Sequence, residues 1–240
     1  MNDSQTEPTG QRGKSANGSP MVALQGVSKT FWRGKERVDV LRGLDLTIAD
    51  QAFEALMGPS GSGKTTLLNL IAGLDRPSEG KIQVAGADLN QMSDAARTRW
   101  RARTIGFVFQ TYNLMPVLTA LENVELPLIL TDLTSSERRK RAQTALKIVG
   151  LEERVDHYPR QLSGGQEQRV AIARAIVSDP QIIVADEPTG DLDRENATDV
   201  LNLLAKLNQE FNKTIIMVTH DPHAAERANI IRRLDKGALE

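Results

Sequence analysis

The stretch GPSGSGKT, Gly58–Thr65, lies between the strand-like run Phe53–Met57 and the segment Thr65–Ala72, where Leu67, Leu68, Leu70 and Ile71 recur at helical spacing. No other feature limits the fold as strongly. A strand must enter a tight loop and leave it as a helix, because glycine at 61 and 63 permits backbone conformations closed to other residues. Successive N–H groups can then surround phosphate oxygens at a helix N-terminus. The fixed positions G-x-x-x-x-G-K-[ST] match by chance in a chain of this length only roughly once in a hundred times at average residue usage. A strand before and an apolar-faced helix after make chance rarer still. Lys64 is placed to reach β- and γ-phosphates, and the Thr65 hydroxyl to bind Mg²⁺. The expected nucleotide-binding set here is Gly58, Pro59, Ser60, Gly61, Ser62, Gly63, Lys64, Thr65 and Thr66.

A second stretch, IIVADEPTG at Ile182–Gly190, supplies what such a loop lacks. Its apolar residues suit a buried parallel strand and deliver Asp186 and Glu187 at the C-terminal end, where open α/β sheets bind ligands. Asp186 is expected to hold Mg²⁺ through water, and Glu187 to polarise an attacking water. An isolated Asp-Glu pair is more often a solvated loop, and only the phosphate loop beside it reverses that preference. His220, ending the apolar strand in IIMVTHDP, is a candidate contact to the γ-phosphate, although a lone histidine is more often structural. Gln110, after the strand in GFVFQ, is a candidate for reaching metal or water.

The rest of the chain fits one large domain around these elements. At 240 residues, 40% hydrophobic and 25% charged, it has the composition of an ordinary globular protein. Thirty basic residues against 31 acidic ones leave a net charge of -1, which offers no electrostatic footprint for nucleic acid. The absence of cysteine excludes disulfides and thiolate metal sites. Residues 1–20 are rich in Ser, Gly, Asn and Pro and read as a disordered tail. The most apolar runs, such as Val124–Leu130, fall far short of the ~20 residues a membrane helix needs. Short alternating strands are expected at Val22–Leu24, Val38–Leu41, Leu44–Ile48 and Lys81–Val84. Residues 89–161 read as a mostly helical insertion with TIGFVFQ as a strand inside it; Ser93 caps one helix and Ser135 or Ser136 another. Strand, helix, strand then follow at Ile182–Ala185, Ala197–Gln209 and Thr214–Val218. The fold class expected is α/β: a phosphate-loop ATPase core with a mostly parallel sheet, an N-terminal antiparallel β subdomain and a helical insertion subdomain.

Taken together the motifs resemble those of the nucleotide-binding subunits of ATP-binding cassette (ABC) transporters, over about Met21–Leu239 and in the family's order. To the stretches already quoted the resemblance adds LSGGQ at Leu162–Gln166, its most specific element, and GDLD at Gly190–Asp193. It implies a head-to-tail homodimer with two ATP at the interface, each between the phosphate loop of one copy and the LSGGQ of the other. Ser163 would offer a hydroxyl, Gly164 and Gly165 a close backbone approach, and the following helix its positive N-terminal end, with Gln166 completing the set. A glycine turn capping a helix describes the same residues but leaves two glycines and a glutamine together unexplained. The resemblance also puts Phe31 where the family stacks an aromatic on adenine, with Trp32 as a rival, and sets Asp191 and Asp193 in the loop linking the two ATP sites.

Within the family the chain is similar to the subgroup of lipoprotein-releasing, macrolide-exporting and cell-division ATPases. That likeness implies an ATPase at the cytoplasmic face of the cell membrane, attached through an integral membrane permease-like subunit with an extracytoplasmic domain. The partner's cytoplasmic helix would dock along Tyr112–Leu130 and the helical insertion. Two other readings stand beside it: a soluble ATPase of this class acting on nucleic acid or ribosomes, and a signalling ATPase regulating a cell-wall enzyme. One cassette, balanced charge and no room for a long coiled-coil insertion between Lys64 and Ser163 weigh against the first. The chain departs from the subgroup before the phosphate loop, where glycine, an acid, Phe and an apolar residue are usual and Gln51, Ala52, Phe53 and Glu54 stand. The turn at Asp50–Gln51 loses its glycine, and a Glu54 charge in a sheet strand needs a partner or solvent.

Overall fold

The computed structural model describes residues 19–239. The expected tail over 1–20 therefore lies, apart from Ser19 and Pro20, outside the described residues. The chain begins with two long strands, β1 (Val22–Arg33) and β2 (Glu36–Ile48), antiparallel and bulged, and longer than the short runs expected of them. β3 (Phe53–Met57) leads into the phosphate loop and α1 (Lys64–Ile71). β4 (Glu79–Val84) and the short β5 (Ala87–Asp88) complete a four-stranded antiparallel sheet in the order β2-β1-β4-β5.

α2 (Asp94–Thr104) follows, capped by Ser93 as expected, and then β6 (Ile105–Val108). α3 (Ala120–Glu125) and α4 (Ser135–Ile148) lead to the long α5 (Gly164–Ile176). β7 (Ile182–Asp186), α6 (Arg194–Gln209), β8 (Thr214–Val218), the single turn α7 (Pro222–Ala225), β9 (Ile230–Asp235) and β10 (Ala238–Leu239) finish the chain. The second sheet has the order β10-β9-β3-β8-β7-β6; its pairs are parallel except for β9-β10.

The parallel sheet divides two cores by the period-two alternation of its strands. Ile182, Val184, Ile216, Val218 and Leu56 face α1 and the antiparallel sheet. Ile183, Ala185, Ile215, Met217 and Phe53 face α3, α4, α5 and α6. Burial on both faces is why these strands read as continuous apolar runs.

Three differences from the sequence reading have identifiable physical causes. The helical stretch expected over 89–161 is divided, because β6 pairs in parallel with β7 and so belongs to the main sheet. The cap of α4 is Thr134, not Ser135 or Ser136. Its hydroxyl accepts the Glu137 N–H while Glu137 accepts the Thr134 N–H, a reciprocal box that only a residue three before the acid can form.

The third concerns the departure before the phosphate loop. Gln51 keeps the left-handed conformation that glycine usually supplies, with φ 58. Its N–H donates to Thr214 Oγ1 and its carbonyl accepts from Asn208 Nδ2. Glu54 is 1% exposed and is paired: Arg232 on β9 donates through Nε at 2.6 Å and Nη2 at 3.3 Å. The same guanidinium reaches the Thr47 carbonyl at 3.0 Å, so one arginine joins β9, β3 and the end of β2.

Candidate functional site

The C-terminal ends of β3, β7 and β8 open into one cavity of about 660 Å³. Ser60, Gly61, Gly63, Lys64, Thr65 and Thr66 line it on the loop side. Asp186, Glu187, Val218 and His220 line it from the strand ends, and Val40 of β2 closes it from the antiparallel sheet. Parallel strands leave their C-terminal ends beside one another, so three loops distant in sequence meet there.

The loop is shaped by close packing. Gly58 has φ 157, and a Cβ on it would collide with the Leu234 carbonyl. Gly63, at φ 103, brings the backbone within reach of Val40 and Leu41. Lys64 is buried at 8% exposure, and its ammonium donates to the Gly58 and Pro59 carbonyls at 2.8 and 2.9 Å. The lysine thus spans the loop from the first turn of α1, holding its positive charge over the concavity. Pro59 and Ser62 shape the loop from behind and do not line the cavity; the Ser62 hydroxyl is buried without a partner.

Across the cavity the Thr65 hydroxyl donates to Asp186 Oδ1 at 3.4 Å. Burial pushes the Asp186 carboxyl up from its ordinary range, and neighbouring Glu187 adds to this, while Thr65 and Lys64 act the other way. A hydroxyl and a half-buried carboxylate side by side are hard oxygen donors, the type that suits Mg²⁺. Glu187 turns the chain sharply with φ 48, its N–H bonded to the Val218 carbonyl at 2.9 Å. His220 holds the Glu187 carboxylate twice, through its backbone N–H at 3.3 Å and through Nδ1 at 2.9 Å. Nδ1 is the ring nitrogen engaged with Glu187, and Nε2 lies outside that contact.

Other expected residues lie apart from the cavity. Gln110 does not line it; its Nε2 donates to Asp191 Oδ1 at 3.0 Å, so the Asp191 carboxylate is partnered within the chain. Gly190 packs against the Gln110 side chain; a Cβ there would stand 2.9 Å from Gln110 Nε2 and push that amide aside. Phe31, 42% exposed, is also outside the lining, with the Lys29 ammonium 4.7 Å from its ring centroid; Trp32 is more exposed still. Asp193 caps α6, accepting the Asn196 N–H at 2.9 Å.

Ser163, Gly164, Gly165 and Gln166 begin α5, on a surface separate from the cavity. Their composition has an explanation within one chain, contrary to the sequence reading. Ser163 and Gln166 form a capping box. A Cβ on Gly165 would collide with the Asn196 amide, and one on Gly164 would stand 2.8 Å from the Tyr112 hydroxyl.

Sequence reasoning missed two residues beside the site. Val40 closes the cavity but reads as one more alternating strand residue. Gln168 is completely buried and bonds the Phe109 and Pro188 carbonyls, next to Gln110 and Glu187. A polar residue on the apolar face of α5 was the only available signal.

Comparison with known proteins agrees with this architecture. The family model described as ABC transporter matches residues 41–190. The ABC transporter ATP-binding protein MJ0796 of Methanocaldococcus jannaschii is 49% identical over 224 residues, 92% of this chain and 95% of that one. The macrolide export ATP-binding/permease protein MacB of Marinobacter nauticus is 46% identical over 220 residues, 92% of this chain but 34% of that longer protein. A solved structure described as a dimeric post-hydrolysis state of the MJ0796 cassette bound to ADP and Pi superimposes with a TM-score of 0.84 at 47% identity, covering 92% of this chain and 97% of that one. The chain belongs to the ABC transporter family and is an ATP-binding cassette, an ATPase by class. Among the described residues no helix is long and apolar enough to cross a membrane.

Proposed function

We propose that two copies of this chain close head to tail around two ATP molecules and that the closure drives a membrane permease. The γ-phosphate lies between the Lys64 ammonium of one copy and the α5 N-terminus of the other. Glu187 takes a proton from water as the water oxygen bonds to the γ-phosphorus. The bond from that phosphorus to the β,γ-bridging oxygen breaks, and ADP and phosphate leave. His220 keeps the Glu187 carboxylate turned toward the cavity and presents Nε2 to the transferred group. Thr65 and Asp186 would hold Mg²⁺, with Gln110 reaching it from beyond the lining once released from Asp191, and the ion would neutralise phosphate charge. Phe31 stacks on the adenine, and Asp191 relays between the two sites.

The observation that carries this reading is the placement of the Glu187 carboxylate at the cavity edge, fixed by two contacts from His220 and opposite Lys64. The ADP and Pi recorded with a dimeric relative support both the chemistry and the assembly. The ATP-binding/permease architecture of the MacB relative supports a membrane partner, here a separate subunit with an extracytoplasmic domain that holds this chain at the cytoplasmic face. Selectivity for a cargo then belongs to that partner.

Glu187→Gln tests the assignment, since it keeps the binding groups while removing the base. The variant is expected to form a stable dimer with ATP, seen by size-exclusion chromatography, and to hydrolyse at least a hundredfold more slowly. A monomeric variant with normal turnover refutes both the dimer and the base.

A further inference from the structure

Gln168 is a completely buried polar side chain beside the site, and no motif accounts for it. It projects from α5 into the junction between two strand ends. Its Nε2 donates to the Phe109 carbonyl at 3.1 Å and to the Pro188 carbonyl at 2.6 Å. Phe109 directly precedes Gln110, and Pro188 directly follows Glu187. One amide therefore ties together the exits of β6 and β7, and ties both to the helix that Ser163 caps.

Packing does not select glutamine here. Its Oε1 is buried with no partner, which is costly, and methionine would fill similar space without that penalty. What glutamine adds is two N–H donors on one uncharged group. Glutamate has none when ionised, and asparagine is one methylene shorter.

We propose that Gln168 is a positioning residue for hydrolysis, holding the Gln110 and Glu187 backbones in register with each other and with α5. The proposal rests on the ATPase reading above. Arg174, two turns further along α5, donates to the Tyr112 and Asn113 carbonyls at 2.8 and 2.6 Å. The segment after Gln110 is thus anchored independently, so losing Gln168 loosens the catalytic end of the loop while its far end stays fixed.

The test uses the full-length chain and Gln168→Met, with steady-state ATP hydrolysis and binding of a fluorescent ATP analogue measured side by side. Displacing a reacting group by about 1 Å costs on the order of 100-fold, so kcat is expected to fall roughly 10- to 100-fold with nucleotide affinity within about threefold. A folded variant whose kcat stays within about twofold overturns the proposal, as does an affinity that falls in step with kcat. If Gln168→Met does not fold, the natural chain decides the matter through hydrogen exchange of the Gln168 side-chain amide. Protected exchange supports the two bonds, and exchange at the free-amide rate overturns them. A natural chain that neither binds nor hydrolyses ATP overturns the ATPase reading instead, whereas normal turnover by Gln168→Met overturns only the positioning role.

Discussion

Replacing Arg232 by Met should destabilise this protein by about 3 kcal/mol, whereas replacing Arg232 and Glu54 together by Met should cost less than about 1 kcal/mol. Glu54 is 1% exposed in a strand paired on both sides, so its carboxylate has given up nearly all its water. Arg232 restores two hydrogen bonds and one compensating charge. At a charge separation of about 4 Å and an effective dielectric near 20 the attraction is about 4 kcal/mol, comparable with the desolvation it offsets. The pair as a whole is therefore close to neutral, and the loss of one member exposes the penalty of the other. The Arg232 side chain is 31% exposed, so its removal lets water approach, which places the expected loss at the lower end of the roughly 3–5 kcal/mol range for broken buried pairs. In a domain of this size that loss lowers the melting temperature by roughly 6–12 °C. Urea unfolding of the natural chain, both single variants and the double variant closes a double-mutant cycle. A single Arg232→Met within about 0.5 kcal/mol of the natural chain refutes the reasoning. A double variant less stable than either single refutes the claim that the pair is near neutral.

Three further outcomes follow from the geometry. Lys64→Ala removes the ammonium spanning the loop and should abolish turnover while the chain stays folded; normal hydrolysis would overturn the phosphate-site assignment. Gln51→Gly should raise stability by about 0.5 kcal/mol, because relief of left-handed strain of about 1–2 kcal/mol slightly exceeds glycine's greater loss of freedom on folding; a lower urea midpoint would show that the Thr214 and Asn208 bonds had already removed the strain. Asp191→Ala frees the Gln110 amide, and a several-fold fall in kcat with nucleotide affinity unchanged is expected from steady-state kinetics. No change in kcat would make that contact structural only.

What could be read from the sequence was what neighbouring residues decide. The strand, loop and helix around Gly58–Thr65 are specified within a single window, and the apolar run before Asp186 declares a strand buried on both faces. Non-local pairing was not legible. β6 looked like a strand within an insertion because nothing in TIGFVFQ reveals that its ladder partner is β7. The partner of Glu54 is 178 residues away, so only its need for one could be stated. Gln168 combined both difficulties, since its two acceptors come from different loops and are backbone atoms, which carry no sequence signal. The cap of α4 was legible and was misread: in Thr134-Ser-Ser-Glu137 three residues have hydroxyls, and the position of the acid decides among them.

The capping box at Ser163 constrains what the N-terminus of α5 can bind. Ser163 Oγ accepts the Gln166 N–H, and Gln166 Oε1 accepts the Ser163 N–H. Both acceptors are thus engaged inside the turn. The groups left to face outward are the Ser163 hydroxyl proton and the Gln166 Nε2 hydrogens, all donors. The positive end of a 13-residue helix stands behind them. The same box that stabilises the helix therefore engages one lone pair on each oxygen inside the turn and leaves hydrogens on the outer side, a surface suited to an anion. Lys64 presents the matching character in the cavity, and the two surfaces are separate in one chain. In the proposed dimer a single phosphate would meet both surfaces, one from each copy.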